Sequence, residues 1–311
     1  MQIFPVTSSS LLLLLFSFSG LGLAADNGCD KTPATKWPLT TPASRPPLFL
    51  FRGDGRGPDA IRAEGGWLPW AIAKRSAKAF GLLNHEKDIK FAKGQRDTVY
   101  VSTTTSFDVA ARYARMNAKQ RKETYVYYIH ASPNMIDLNR SLGNETQFWW
   151  QREFSAMGGI RWSQVVGWVH INASFFDAYH YAVPDCGVED LSNQFFYQHL
   201  KQRGSEAFYS PSRDYCEARW TRFSAGGWEP QLAGFAEYEG EFVKGNKPLW
   251  FREVEPWRKA QKKSTKQHAY EFMERTKEAT GWRGDFPLFR KEEPEAVCSG
   301  YQPLRRRRRS T

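Results

Sequence analysis

The amino-acid sequence predicts an α+β fold, in which short strands and separate helices share one chain without regular alternation. Residues 124–131 are aromatic and β-branched, which is typical of a strand. Val109, Ala110, Tyr113 and Met116 recur at helical spacing. The chain contains neither a Gly-x-Gly-x-x-Gly turn after a strand nor a Walker A motif, so a Rossmann or P-loop frame for a nucleotide is not predicted.

The beginning of the chain predicts a secretory signal peptide over residues 1–24. An apolar run over residues 11–18 is followed by the small residues Gly22 and Ala24, although no Lys or Arg precedes the run. No later segment has enough consecutive apolar residues to span a membrane. We therefore expect a secreted, extracellular protein without stable membrane insertion, whose mature chain begins with an extended segment over residues 25–47.

Composition indicates a folded body with a basic end. The 311 residues are 41% hydrophobic and 15% aromatic, which provides a substantial core. The net charge of +11 includes five arginines at positions 305–309, so charge by itself predicts no nucleic-acid partner.

The four cysteines, Cys29, Cys186, Cys216 and Cys298, could form up to two disulfides. The sequence leaves all three full pairings open. No cysteine pair has zinc-finger spacing, and we expect no metal. Three sequons, whose use the sequence leaves open, begin at Asn139, Asn144 and Asn172.

The first half of the chain predicts alternating strands, turns and helices. Residues 48–52 form a short apolar strand that ends at a glycine-rich turn. Pro58, at a first helical position, opens a helix that two glycines end after Glu64. Residues 98–102 alternate apolar and polar side chains as a strand does. Thr105-x-x-Asp108 is a capping signal for the helix that follows.

The second half has a strand pattern at residues 164–171 and then becomes irregular. The irregular stretch holds two of the cysteines and predicts an insertion at about residues 175–225. Residues 240–257 are aromatic with mixed charge, and residues 267–280 show the spacing of an amphipathic helix. The remainder, which ends in the arginine run, predicts a tail.

Two strand ends carry polar side chains suited to binding a dinucleotide. Arg52 ends the first strand beside Gly53 and Asp54, where a planar guanidinium can grip a pyrophosphate and the glycines let a ligand approach. Ser102-Thr103-Thr104 supply three hydroxyls that can hold the rotamer of a carboxylate. Each piece also has a plain structural interpretation, as a surface arginine in a turn or as a strand end that caps a helix.

A glutamate among aromatic residues is the candidate for the reacting centre. Glu153 is expected to be partly desolvated, so that its charge acts strongly on a nearby cation; the alternative is a salt bridge to Arg152. His85 lies beside apolar residues and could brace the site or be structural. Cleavage of the nicotinamide–ribose bond of NAD needs a pinned dinucleotide and a carboxylate facing the developing cation, which Arg52 and Glu153 can supply.

In the identity and order of these residues, the chain resembles the enzymatic A subunits of heat-labile enterotoxin and cholera toxin. The pertussis toxin catalytic subunit is similar more distantly. The resemblance spans about residues 48–257, apart from the insertion. The matching stretches are Phe51-Arg52-Gly53-Asp54-Gly55-Arg56-Gly57-Pro58-Asp59, His85, Val99-Tyr100-Val101-Ser102-Thr103-Thr104, Ala131-Ser132-Pro133-Asn134-Met135, Glu153-Phe154-Ser155-Ala156-Met157-Gly158-Gly159-Ile160, Trp162-Ser163-Gln164-Val165-Val166-Gly167-Trp168, Leu232-Ala233-Gly234-Phe235 and Glu255-Pro256-Trp257.

The resemblance implies an ADP-ribosyltransferase-like α+β fold, with two small mixed sheets and flanking helices around an NAD cleft. The catalytic domain would cover residues 48–260, and a C-terminal helix and basic tail residues 261–311. The activity implied is that of a secreted toxin, a mono-ADP-ribosyltransferase of the glycosyltransferase class. NAD would be the co-substrate, and the acceptor a host protein such as a GTP-binding protein.

The family also implies roles for individual residues. Glu153 would be the catalytic glutamate, with Arg52, Ser102, Gln151 and His85 as the other catalytic residues. The residues that would contact NAD are Arg52, Gly53, Asp54, Ser102, Thr103 and Thr104.

Three departures from the family pattern bear on function. Gln151 occupies the first position of the Glu-x-Glu pair of arginine-modifying toxins, and glutamine cannot take a proton from an acceptor guanidinium. Gln-x-Glu is similar to the Rho-modifying exoenzymes, whose acceptor is asparagine. No long helix follows Trp257 to thread a pentameric B subunit, so delivery would differ or need a separate subunit. The arginine run at residues 305–309 has no family counterpart.

Two other functions remain open from the sequence. An NAD glycohydrolase would use water as the acceptor, because Gln151 cannot activate a side chain. A secreted binding protein could keep the fold and lose the chemistry, although the presence of Arg52, Ser102 and Glu153 together argues against it.

Overall fold

A computed structural model describes residues 45–70, 76–87, 97–117, 124–146, 148–171, 209–233, 257–260 and 262–291. Over these ranges the α+β class is confirmed: helices accompany one seven-stranded and one two-stranded sheet. The sheets are two, as expected, but the larger has seven strands. All strand pairs of the described ranges are antiparallel instead of mixed.

The order of strands in the large sheet brings distant parts of the chain together. The strands are β1 (Phe49–Asp54), β2 (Gly66–Trp67), β3 (Tyr100–Thr104), β4 (Thr124–His130), β5 (Met135–Asp137), β6 (Glu153–Met157), β7 (Ile160–Arg161), β8 (Val165–Ile171) and β9 (Tyr209–Pro211). The large sheet has the order β5-β6-β3-β1-β4-β8-β9, and β2 pairs with β7 in the small one. Arg52, Ser102 and Glu153 therefore lie on three adjacent strands.

The helices are short and lie mostly between strands. They are α1 (Pro58–Ala63), α2 (Leu82–Lys87), α3 (Phe107–Asn117), α4 (Leu138–Leu142), α5 (Glu217–Trp220), α6 (Trp257–Ala260), α7 (Thr265–Arg275) and α8 (Lys277–Thr280). Turns of 3-10 helix occur at Ala77–Phe80, Gly143–Glu145, Trp149–Gln151, Trp162–Gln164 and Pro230–Ala233. The predicted strands and the helix opened by Pro58 are confirmed, with ends shifted by a few residues. Gly65, at φ 75°, ends α1 because it can adopt the left-handed region.

Two helix details differ from the sequence prediction. Ser106, not Thr105, caps α3: its Oγ accepts from Val109 N at 3.4 Å, while the Thr105 N–H donates to Arg152 O. The predicted helix over residues 267–280 begins earlier, at the Ser264 N-cap, and is divided at Thr276. The Thr276 hydroxyl donates to Met273 O at 3.1 Å, a side-chain bond that competes with regular helix geometry.

The core is formed by three clusters of buried apolar side chains. One packs α3 against β1, where Gly53 lets the helix backbone approach the strand closely: a Cβ there would overlap Ala110 O. A second lies behind the other face of the sheet around Leu50 and Tyr127. The third is joined by residues of α7 and the segment after α8, such as Phe272 and Phe286. Side chains from residues 265–289, which were predicted to form a C-terminal helix and part of a basic tail, thus contribute to the core.

Part of the predicted insertion joins the large sheet. β9 pairs with β8, and Trp220 of α5 is fully buried, its Nε1 donating to Ser163 Oγ at 3.1 Å. Cys216 takes part in a disulfide whose partner lies outside the described residues. The predicted signal peptide, residues 240–256 and the arginine run also lie outside them. Within the described ranges, no helix combines the length and apolar composition that crossing a bilayer requires.

Candidate active site

A cavity of about 290 Å³ lies over the adjacent strands β1, β3 and β6. Of the residues predicted for the site, Arg52, His85, Ser102, Gln151 and Glu153 all line it. Gly53, Thr103 and Thr104 also contribute to its wall. The structure thus brings together side chains that are separated by about a hundred residues in the sequence.

Glu153 begins β6 and points its carboxylate at His85. Its Oε1 lies 2.9 Å from His85 Nε2 and accepts a hydrogen bond from Ser155 Oγ, also at 2.9 Å. The residue is only 5% exposed. Burial by itself would raise the pKa of Glu153, but the neighbouring His85 and hydrogen bonds from His85, Ser155 and Ser102 outweigh burial and hold that pKa below its ordinary value. The site therefore keeps the Glu153 carboxylate ionised although it is shielded from solvent.

His85 links the carboxylate to two hydroxyls. Its Nε2 lies 3.1 Å from Ser102 Oγ, and its Nδ1 lies 2.9 Å from Thr98 Oγ1. The Tyr100 N–H donates to Thr98 Oγ1 at 3.2 Å, which leaves the Thr98 hydroxyl hydrogen for His85 Nδ1. This arrangement favours the tautomer with hydrogen on Nε2, which donates to Glu153.

The three hydroxyl residues of β3 have separate partners. The Ser102 hydroxyl lies beside His85, and its carbonyl oxygen accepts from Arg52 Nη1 at 2.6 Å. Thr103 and Thr104 donate to the carbonyls of Phe154 and Gln151, both at 2.6 Å. The two threonine hydroxyls are therefore engaged with the backbone around Glu153, a bracing role, whereas the Ser102 side chain hydrogen-bonds to the Glu153 carboxylate.

Arg52 and Asp54 of β1 differ in their surroundings. The Arg52 guanidinium borders the cavity and lies 5.8 Å from the centre of the Trp67 ring. Asp54 is 8% exposed and accepts from Arg56 Nη2 and Trp67 Nε1, both at 2.9 Å. Because its oxygens already bind these protein donors, Asp54 fixes the turn after β1. It is not among the residues that line the cavity, and its contact with NAD stays a prediction.

Gln151, whose side chain is a neutral amide, lines the cavity. It ends the 3-10 turn Trp149–Gln151 and is 4% exposed. The next residue, Arg152, has a left-handed φ of 47°, which turns the chain sharply into β6. Trp150 of the same turn is 43% exposed, so an aromatic face stands in solvent beside the amide.

Three residues of the site were missed from the sequence. Ser155 could have been found, because positions two apart on a strand share one face with Glu153. Trp70 follows β2, borders the cavity and is 67% exposed, but nothing in the sequence places it there. Thr98 precedes β3 and reaches His85 only through the tertiary fold. The described residues include no group of side chains suited to a metal ion.

The arrangement suits one kind of chemistry. A guanidinium and an ionised carboxylate border the same cavity, so it can hold a ligand with anionic phosphates and stabilise positive charge that develops nearby. The histidine and serine keep the carboxylate in one rotamer, which avoids reorganisation when charge develops. Such a site fits a dinucleotide whose glycosidic bond breaks with cationic character.

Comparison with protein families gives a match over most of the chain. A family model described as heat-labile enterotoxin alpha chain matches residues 39–278. Among curated proteins, the NAD(+)--arginine ADP-ribosyltransferase Chelt of Vibrio cholerae is 31% identical over 142 residues, 42% of this chain and 24% of that protein. The heat-labile enterotoxin IIB A chain of Escherichia coli is 31% identical over 133 residues, 40% of this chain and 51% of that protein.

Another relative is named for a guanine acceptor of ADP-ribose, whereas Chelt is named for arginine. The guanine-specific ADP-ribosyl transferase of Streptomyces coelicolor is 28% identical over 148 residues, 46% of this chain and 60% of that protein. The matched part of this chain thus spans between about a quarter and three fifths of these three relatives. Among solved structures, a double mutant of heat-labile enterotoxin has a TM-score of 0.47 at 20% identity, covering 74% of this chain and 92% of that one. Scabin toxin from Streptomyces scabies, in complex with NADH, has a TM-score of 0.32 at 27% identity, covering 41% and 66%.

Proposed function

The chain belongs to the heat-labile enterotoxin alpha chain family, and we propose that it is a secreted, toxin-type mono-ADP-ribosyltransferase with NAD as its co-substrate. The observation that carries the proposal is the cluster of Glu153, His85, Ser102 and Arg52 around one cavity. The names of the relatives, which include arginine- and guanine-specific ADP-ribosyltransferases, support the same class of reaction.

Each residue of the cluster has a part in the proposed mechanism. Arg52 binds the phosphates of NAD and keeps the dinucleotide in the cavity. The bond between nicotinamide and ribose breaks with its electron pair going to nicotinamide, and Glu153 stabilises the cationic ribose that forms. His85 and Ser102 hold the Glu153 carboxylate in place. An acceptor nitrogen then bonds to the ribose carbon, and its proton passes to water.

The neutral amide of Gln151 bears on the acceptor. A glutamine cannot remove a proton from an acceptor guanidinium, so we propose an acceptor nitrogen other than arginine, such as the side-chain amide of asparagine in a host protein. The same amide favours a second candidate function, an NAD glycohydrolase in which water takes the ribose. Guanosine, agmatine and an asparagine peptide, each offered with NAD, would separate the acceptor classes by the mass of the adduct.

Nicotinamide release from NAD by the purified mature chain tests the activity. Glu153→Gln keeps the size of the side chain and removes its charge, and is expected to lower release by at least about a hundredfold, as loss of one transition-state stabiliser typically does. Glu274→Ala, an exposed change, serves as the matched control with native release. Near-native release by a folded Glu153→Gln protein would overturn the proposal.

A cell lysate separates the two candidate reactions. Release that rises with lysate, together with an ADP-ribose adduct on a lysate protein, would establish the transferase and identify its target. Release that lysate does not change, without any adduct, would establish the glycohydrolase instead. Wild-type chain that releases no nicotinamide in either setting would overturn both.

Export and delivery complete the proposal. The predicted signal peptide supports secretion, and N-terminal sequencing of the exported chain should begin at Ala25. A separate delivery subunit and a host GTP-binding protein as acceptor follow from the family. Copurification of the exported chain with a second secreted protein would support the former, and the adduct search in lysate tests the latter.

A further inference from the structure

Glu86 is a buried carboxylate that the proposed mechanism does not use. It follows His85 on α2 and is 1% exposed. Its Oε1 accepts two hydrogen bonds, from Thr146 Oγ1 at 2.5 Å and from Phe148 N at 3.0 Å. A buried carboxyl group needs hydrogen-bond partners, and one of those found here is the backbone N–H of Phe148, so Glu86 holds the chain at this point.

The stretch held in this way is residues 148–152, termed here the acceptor-side segment. Besides Glu86 at Phe148 N, Asn139 Nδ2 donates to Trp149 O at 2.7 Å and Thr104 Oγ1 donates to Gln151 O at 2.6 Å. Only one 3-10 turn of the segment is regular, and it ends at the left-handed Arg152. Its shape therefore depends on bonds from outside the segment.

The short helix α2 reaches both halves of the site. His85 contacts the Glu153 carboxylate, and the adjacent Glu86 holds the acceptor-side segment. In that segment Trp150 is exposed to solvent, and Gln151 is one of the residues that line the cavity. Trp150 is open to an incoming protein acceptor, and Gln151 borders the cavity in which the ribose would lie.

We propose that Glu86 is a positioning residue that sets Trp150 and Gln151 for the acceptor, and so controls transfer of ADP-ribose rather than cleavage of NAD. The inference rests on the proposed function. Water needs no docking surface, but a protein acceptor must be held with its nitrogen aligned on the ribose, and small misplacement of such groups is costly. Glu86 therefore affects the acceptor step selectively.

The direct test removes one donor without touching α2. Thr146→Val keeps the shape of the side chain and removes its hydroxyl, and Thr146→Ser keeps the hydroxyl as the matched control. Thr146→Val is expected to lower transfer to the lysate acceptor by about tenfold to about a hundredfold and to raise KM for the acceptor. Nicotinamide release without acceptor, and KM for NAD, should stay within about twofold of the wild type, because His85 and Ser155, which hold the Glu153 carboxylate, lie outside the segment. Thr146→Ser should match the wild type in both reactions.

Glu86→Ala is the stronger change, and hydrogen exchange shows whether it folds. Faster exchange at the Phe148 amide, with native exchange in β6, would show a loosened segment in a folded protein. Loss of transfer with release retained supports the inference. Native transfer in Thr146→Val, or an equal loss of transfer and release, overturns it.

The wild-type chain keeps the two proposals distinguishable. A wild type that releases no nicotinamide fails the proposed function, and the inference falls with it. A wild type that cleaves NAD and transfers to an acceptor, while the variants also transfer normally, overturns the inference alone.

Discussion

Asp54 and Glu153 are both buried carboxylates with lowered pKa values, and their neighbours give them different roles. Burial would raise the pKa of Asp54, but the hydrogen bond from Arg56 and the charges of Arg52 and Arg56 lower it to about 2. The carboxylate of Asp54 accepts hydrogen bonds from Arg56 and Trp67. Glu153 accepts from His85 and Ser155 and still faces the cavity. The first residue stabilises the fold, and the second is placed to act on a ligand.

Asp54→Asn should destabilise the protein at neutral pH. A pKa lowered from 3.8 to about 2 in the folded state corresponds to about 2 kcal/mol of unfolding free energy. Because the folded pKa is depressed, this stability is present above the unfolded pKa and is lost as pH falls towards about 2. Urea unfolding from about pH 7 to about pH 3 should show the difference between the variant and the wild type shrinking below about pH 4.

Asp59→Asn is the control for that measurement, because Asp59 is exposed in the first turn of α1. It should change the unfolding free energy by no more than about 0.5 kcal/mol. A difference for Asp54→Asn that stays constant with pH would contradict the role given to its charge.

Ser155→Ala should change how the activity depends on pH. Removing the hydrogen bond from Ser155 to Glu153 Oε1 raises the pKa of that carboxylate, because the bond favours its charged form. The acid limb of nicotinamide release should therefore move to higher pH, with a larger loss of activity at about pH 5 than at about pH 7.5. An unmoved acid limb in a folded variant would show that Ser155 does not tune Glu153.

At the level of elements, the contact between β1 and α3 controls where Arg52 lies. Gly53 is the neighbour of Arg52, and the backbone of α3 occupies the place of its missing side chain. Gly53→Ala forces helix and strand apart, so it should cost about 1–3 kcal/mol of unfolding free energy and reduce nicotinamide release. Urea unfolding and the release assay measure the two effects.

Gly227→Ala is the matched control for Gly53→Ala, because no atom lies within 4 Å of the added Cβ. It should leave both the unfolding free energy, within about 0.5 kcal/mol, and nicotinamide release unchanged. Native behaviour of Gly53→Ala would mean that α3 can shift without disturbing Arg52.

Local sequence patterns predicted the elements better than their ends. Alternation found β3, and Pro58 with Gly65 bracketed α1, since these signals act within a few residues. The cap at Ser106 was not predicted, and the N–H of Thr105 donates to the carbonyl of the distant Arg152. The break at Thr276 was not predicted either, and the Thr276 hydroxyl donates to the Met273 carbonyl of the same helix. The bond of Thr105 joins residues far apart in the sequence and forms only when the chain has folded, whereas the bond of Thr276 is local but leaves no signal in the hydrophobic spacing.

For the whole molecule, residues 265–289 contribute to the same core as the helix that carries His85. Phe272 of α7 is 3% exposed and belongs to the cluster that also contains Leu83 of α2. Phe272→Ala should therefore lower the unfolding free energy by about 3–5 kcal/mol, as large core truncations do. Urea unfolding checks the loss.

Glu274→Ala, on the exposed side of the same helix, should change the unfolding free energy by less than about 1 kcal/mol. A loss below about 1 kcal/mol for Phe272→Ala would instead indicate that α7 unfolds independently of the sheet.

The membership of the site was largely predictable, but its contacts were not. Arg52, His85, Ser102 and Glu153 could be named because each stands in a motif of the resembling family. The contact of Thr98 with His85 depends on the tertiary fold, so no short stretch of sequence encodes it. Asp54 binds Arg56 and Trp67, both nearby in the sequence, but the sequence pattern does not distinguish this role from contact with a ligand.

The order of strands in the large sheet also has a consequence for folding. β1 pairs with β4, and β3 pairs with β6, so the pairings that assemble the cavity close long loops and carry a high contact order. Such pairings form slowly, because loop-closure entropy is lost before the contacts are gained. A nascent chain that ends before β6 carries Arg52 and Ser102 but no Glu153, so the proposed site cannot assemble before about half of the 311 residues have been synthesised.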